Sequence, residues 1–129
     1  MTPPENAVLY ETTTSTCWID EDGILNLRSK SAERTLENYK EVMEVYKILS
    51  AKSKLCVLVE SSKMQPVSKD VRNYLATELP KYVKVMAMIS ESPLGRMISN
   101  SFILLNPSAF PAKMFGNETE AKEWLKQYL

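Results

Sequence analysis

The sequence predicts an α/β domain built on a mostly parallel, five-stranded sheet with an N-terminal hairpin and about four helices. Three observations carry that reading. Leu55–Val59 and Val85–Ile89 are short, continuously apolar runs, and continuous hydrophobicity at strand length implies burial on both faces, as in a central parallel strand. Amphipathic segments of helical period separate these runs. Two β-type runs upstream flank Asp20-Glu21-Asp22-Gly23, where glycine accepts the positive φ of a hairpin turn.

The elements follow in order. Residues 1–6, with Pro3 and Pro4, read as a flexible arm. Val8 to Ile19 is rich in the residue types that suit a pleated surface and reads as one strand, and Ile24–Arg28 is its hairpin partner. The acidic turn lacks the ligand spacing of a calcium loop. Leu36, Tyr39, Met43 and Tyr46 recur at steps of three and four, with charged residues between, which predicts a helix from about Thr35 to Ser50. A strand over Lys54–Glu60 follows, then a loop from Ser61 to Pro66. Ser68 is a good N-cap for a helix with Val71, Leu75 and Leu79 on one face, which Pro80 is expected to stop. After a strand at Val83–Ser90, Ser92-Pro93 opens a helix running to about Leu105 and ended by Asn106-Pro107. Ala112–Phe115 is the last strand. Asn117 caps a final helix expected to bury Ala121, Trp124, Leu125 and Tyr128. Alternation after the hairpin predicts right-handed crossovers with helices covering the sheet.

Residues 1–129 read as a single domain. Sixteen basic and sixteen acidic residues cancel, and without a basic stripe nucleic acid is not an expected partner. No apolar run approaches the roughly 20 residues of a membrane helix, and the N-terminus lacks the pattern of a secretion signal. Cys17 and Cys56 lie within strand-like runs, as reduced core thiols do, so a cytoplasmic protein is expected.

The chain has no histidine and only three glycines, and no metal-binding, phosphate-cradling or nucleophile-elbow motif is present, so no cofactor or metal is expected. Ligand sites in parallel sheets gather beyond the carboxyl ends of the strands. That edge would collect Glu60, Ser61, Ser62, Ser90, Glu91, Ser92 and Arg96. Glu60, Glu91 and Arg96 are the candidates for acid/base work, against the simpler reading of a solvated rim whose serines cap helices. The helix from Ser92 to Leu105 is apolar nearly all round. Either the segment Pro107–Pro111 covers its outer side, or Met97, Phe102, Ile103, Leu104 and Phe110 form an interface for a protein partner or a second copy in a homodimer. A third possibility is a cavity for an apolar ligand, lined by Met86, Met88 and Met97.

Several stretches in this order resemble the sulfate-transporter and anti-sigma-factor-antagonist (STAS, SpoIIAA-like) domains in their stand-alone bacterial branch. They are Trp18-Ile19-Asp20-Glu21-Asp22-Gly23-Ile24-Leu25, Thr35-Leu36-Glu37-Asn38, Val57–Glu60, Val67–Arg72, Ser92–Asn100 and Pro111–Phe115, with Ala121 and Trp124-Leu125. The resemblance covers nearly the whole chain. It implies a βα superhelical fold and a non-catalytic regulatory module that binds a protein. The alternatives are a small apolar-ligand or lipid-binding protein and an enzyme with a carboxylate-based site. Family members that switch partners carry a phosphorylatable serine where the strand equivalent to Val57–Val59 leads into the next helix. Ser68 is the counterpart by position and Ser62 the second candidate. The Asp and Gly that flank the family's serine are absent, and capping alone accounts for Ser68.

Overall fold

The computed structural model describes residues 1–105 and 109–129, with six strands and four helices. The strand expected over Val8–Ile19 is two strands, β1 (Tyr10–Glu11) and β2 (Ser15–Ile19), which pair antiparallel. The break falls at the threonines. Thr12 Oγ1 accepts from the Ser15 amide at 3.0 Å, and the Thr12 amide donates to the Ser15 carbonyl at 2.8 Å. A hydroxyl close to the backbone offers an alternative to the ladder and turns the chain. The sheet therefore has six strands rather than five.

β2 and β3 (Leu25–Ser29) form the expected hairpin. Gly23 adopts φ 84° in its turn, while Asp20 Oδ1 accepts from the amides of Asp22 and Ile24 at 2.9 and 3.0 Å. Then come α1 (Leu36–Leu49), β4 (Leu55–Glu60), α2 (Lys69–Tyr82), β5 (Val83–Ile89), α3 (Pro93–Leu105), β6 (Ala112–Phe115) and α4 (Glu118–Lys126). Thr35, Ser68 and Asn117 cap α1, α2 and α4, accepting from Asn38, Val71 and Glu120 amides.

Pro80 does not stop α2, which continues to Tyr82. In the last turn a proline removes only its own N–H bond, and the Val83 amide still reaches the Leu79 carbonyl. The terminator is the next strand. The expected end of α3 at Asn106-Pro107, and part of the Pro107–Pro111 cover, lie outside the described residues.

Sheet order is β1-β2-β3-β4-β5-β6, with β3 through β6 mutually parallel. Each crossover adds its strand on the same side of the last, so connecting helices of one hand fall on one face. α1, α2 and part of α3 cover Leu25, Leu27, Val57, Val59, Met86 and Met88. α4, which follows the last strand, folds back over the opposite face onto Ile24, Cys56, Leu58, Val85 and Ala87. Leu55–Val59 and Val85–Ile89 thus lie inside the sheet, buried on both sides. Of the four residues expected to be buried by the last helix, Ala121 and Leu125 are, whereas Trp124 and Tyr128 are half-buried. Those two rings meet edge to face, with centroids 5.3 Å apart.

A polar network joins the hairpin to α4. Asn26, fully buried, donates to Asp20 Oδ2 and to the Ile24 carbonyl, and Lys122 reaches Asp20 Oδ2 at 3.1 Å. Burial works to raise the Asp20 carboxyl, but hydrogen bonds from Asn26, the Ile24 amide and Lys122 outweigh it and hold the pKa below the ordinary range. Residues 1–9 carry no regular element, although the Met1 carbonyl accepts from Arg28 Nη1 at 3.2 Å.

On the α1 side burial acts in the same direction on groups whose charged form is anionic, and there it prevails. It pushes the Cys17 thiol from 9.0 to about 11 and the Tyr39 phenol from 10.0 to about 12. The folded chain holds these protons more tightly than the unfolded chain, so their stabilising effect is complete below pH 9 and is lost as pH rises through the folded values. The melting temperature should therefore fall progressively between pH 9 and about pH 11. A flat profile across that window, followed by circular dichroism, would contradict the burial of these groups.

Candidate functional site

At the carboxyl edge of β4 and β5, short polar side chains fasten the start of α3 to the sheet. Ser92 precedes the helix and accepts from the Gly95 amide at 3.1 Å, with Pro93 in the first helical position. Ser90 Oγ accepts from the Ser92 amide at 3.1 Å and donates to the Ser92 carbonyl at 2.9 Å. One turn further on, Ser99 Oγ donates to Ser61 Oγ at 2.6 Å, and Ser61 Oγ donates to the Ile89 carbonyl at 3.1 Å. Ser61 and Ser99 are fully buried. Gly95 lets the helix come this close, because a Cβ there would stand 2.6 Å from both the Ser61 carbonyl and Ser90 Oγ.

Glu60, Ser61, Ser62, Ser90, Ser92 and Arg96 are therefore brought together, largely as a clamp. Ser62 Oγ donates to Glu60 and accepts from the Glu91 amide. Arg96 Nη2 donates to the Ser90 carbonyl at 3.1 Å. Glu91 is exposed and Glu60 half-buried. Ser68 lies apart from this group, exposed at the start of α2, its hydroxyl accepting from the Val71 amide at 3.3 Å.

Beside the clamp, on the α4 face, is an open polar cleft of about 610 Å³ whose walls include Arg28, Lys30, Glu60, Lys63 and Glu118. Its charges are largely spoken for. Arg28 stacks 5.7 Å from the Trp18 ring, and Lys30 pairs with Glu11 at 3.1 Å. Among the described residues, no group of three His, Cys, Asp or Glu side chains is placed to hold a metal ion, and no helix is long and apolar enough to cross a membrane.

The outer face of α3 is different in character. Leu94, Met97 and Leu104 are 59%, 59% and 81% exposed, and with Ser101 they follow one helical stripe at steps of three and four. The residues expected at an interface divide between two environments. Met97 and Leu104 face outward, Phe102 and Ile103 pack against the sheet core, and Phe110 is buried within it. Met86 and Met88 line a partly open cavity, whereas Met97 is not among its lining residues.

Sequence reasoning passed over Gly95 and Ser99. A glycine three residues after a Ser cap, inside an otherwise apolar helix, is the one local signal of close approach, since nothing else there calls for glycine.

The family model described as a domain of unknown function (DUF7793) matches residues 17–129. No match to the chain is found among curated proteins. Of solved structures, an uncharacterised protein of the DUF3478 family from Shewanella loihica PV-4, described as having a SpoIIAA-like fold, superposes with a TM-score of 0.58. It is 15% identical, with 97% of this chain and 98% of that chain covered. A protein of unknown function from Arthrobacter sp. FB24 is 25% identical over 84% of this chain and 90% of its own, with a TM-score of 0.32. The fold is thus the SpoIIAA-like, STAS-type arrangement, and the chain belongs to the DUF7793 family.

Proposed function

We propose that this domain is a non-catalytic, cytoplasmic regulatory module that acts by docking a protein on the outer face of α3, and that the occupant of this face is a second copy of the chain. The observation that carries the reading is the exposed stripe of Leu94, Met97 and Leu104, an apolar surface of the kind that marks interaction sites. A non-catalytic role is supported by the carboxyl edge, where Ser61 and Ser90 hold the start of α3 and the Glu60 carboxylate is engaged by Ser62. The cytoplasmic placement is supported by two free, buried cysteines on opposite faces of the sheet.

The choice of a second copy rests on the ends of the helix. α3 has no acidic residue in its first turn and no basic residue in its last, so neither end turn carries a charge that opposes its macrodipole. An antiparallel copy would bring each positive end beside the other's negative end and set Leu94 against Leu104. Such a two-fold contact is self-complementary.

Sedimentation velocity over a range of concentrations tests the reading. The wild type should shift from monomer toward dimer as concentration rises, and Leu104→Asp should remain monomeric with an unchanged melting temperature, because its side chain already faces water. A wild type that stays monomeric throughout, or a Leu104→Asp variant that associates equally well, would overturn the proposal.

A further inference from the structure

We propose that the groove at the amino edge of β4 and β5 is a binding site for a single-chain anionic amphiphile, an acyl chain with a carboxylate head. It lies at the opposite end of the sheet from the serine clamp and stands independently of the docking face on α3. The groove has a volume of about 650 Å³ and is partly open to solvent. Its walls come from the end of α1, the segment leading into β4, the start of β5 and residues 128–129.

Lys52, Lys54 and Lys84 line it, and no Asp or Glu side chain does. The three lysines are exposed, and none forms an ion pair among the described residues. The acids of the hairpin turn beside Gly23 do not neutralise them. Asp20 and Asp22 are held by Lys122 and Lys126 of α4 at 3.1 and 3.9 Å, and Glu21 is not part of the wall. Lys47, in the last turn of α1, serves the negative end of that helix. Three cations gathered on one wall without a counter-ion set up a positive field that favours an anion. Lys84 is also anchored, its ammonium donating to the Tyr128 carbonyl, which leaves two of its N–H groups for a ligand.

The apolar part of the wall gives a second and separate indication. Ile19, Ile48 and Leu129, which are 36%, 63% and 60% exposed, line the same groove. Apart from the α3 stripe and Val8 and Leu9 near the N-terminus, they are the large hydrophobic side chains left exposed among the described residues. Aliphatic groups that meet in one concavity mark a place where an apolar body is buried.

Lysines without acids select an anionic head, and the aliphatic groups beside them select a chain attached to it. The concave shape and the volume, within the range of about 300–1,000 Å³ usual for small-molecule sites, suit one molecule rather than a bilayer surface. Roughly 150 Å³ holds benzene, so decanoate, with about a dozen non-hydrogen atoms, takes up about 300 Å³ and fits.

Titration of the isotope-labelled full chain with sodium decanoate, followed by amide NMR, is the test, with decanol and sodium acetate as probes of the tail and the head alone. Decanoate should shift the amides of residues 48–55 and 84 in a saturable way and bind about fivefold or more tightly than either probe. Lys52→Gln combined with Lys54→Gln should weaken decanoate about fivefold, and Ile48→Gln should weaken it a few-fold. The three positions are exposed, so both variants should keep the wild-type melting temperature. The chain should stay in solution when spun with phosphatidylglycerol vesicles. The proposal is overturned by an absence of saturable shifts, by shifts centred on Met97 and Leu104, or by equal affinity for decanol or acetate. Wild-type affinity in either variant would overturn it too, as would sedimentation with the vesicles, which would assign the lysines to a membrane surface.

Discussion

Leu58→Ala is expected to destabilise the fold by about 2–5 kcal/mol, a large share of the roughly 5–15 kcal/mol that holds a domain of this size together. Leu58 has no exposed surface. It lies on β4 with Asn26 of β3 on one side and Ala87 of β5 on the other, and its side chain points into the cluster beneath α4. Removing three methylene-sized groups there leaves a cavity that neither a hydrogen-bonded strand nor α4 can close. Ile48, also aliphatic but 63% exposed on α1, supplies the control, since Ile48→Ala should stay within about 0.5 kcal/mol of the wild type. Urea denaturation of both variants measures the difference. A loss below about 1 kcal/mol for Leu58→Ala would mean that β4 is not the centre of the sheet.

Gly95→Ala should also destabilise, by about 1–3 kcal/mol, and here the sign is the informative part. In an ordinary helix interior the same change stabilises by about 1 kcal/mol, because alanine loses less backbone freedom on folding. At this position the added methyl would stand 2.6 Å from the Ser61 carbonyl and 3.1 Å from the Ser62 Cα. The first of these is backbone at the end of β4 and cannot rotate aside. α3 must then lift from the sheet edge, and the bond from Ser99 Oγ to Ser61 Oγ at 2.6 Å is the first contact it loses. The urea midpoint reads the result directly. A variant as stable as the wild type, or more so, would show that α3 does not need this close approach.

The residues that made the fold legible are those whose pattern is local. The uninterrupted runs at Leu55–Val59 and Val85–Ile89 could be satisfied only inside a sheet covered on both faces, and Asp20–Gly23 could form only a turn. The caps at Ser68 and Asn117 follow from single residues and their neighbours. The split of the first strand was not legible, because threonine suits a strand as well as it suits the turn that Thr12 makes with Ser15. Asn26 reads as a polar residue on an alternating strand, yet it is fully buried by its contact with Asp20 and the approach of Lys122 from nearly a hundred residues away.

The candidate sites divide in the same way. An apolar surplus on α3 was visible from the sequence, because a helix has only one circumference on which to distribute leucine, methionine and phenylalanine. Which of those residues face water depends on how the helix is seated, and its seating depends on Gly95 and Ser99. The basic groove depends on the end of α1, the entries to β4 and β5 and residues 128–129 meeting at one end of the sheet. No spacing along the chain announces that meeting.

Cysteine cross-linking across α3 tests the docking face most directly, since the native Cys17 and Cys56 are buried and a single introduced thiol reports alone. Ser101 lies on the exposed stripe between Met97 and Leu104, and Thr77 is exposed on α2 away from it. In the antiparallel pair Ser101 faces Met97 of the other copy, so a short bis-maleimide, which spans the two Ser101→Cys thiols, should give a covalent dimer, and the same treatment of Thr77→Cys should leave monomer. Equal cross-linking of the two variants, or none at Ser101→Cys, would contradict the antiparallel pairing of α3.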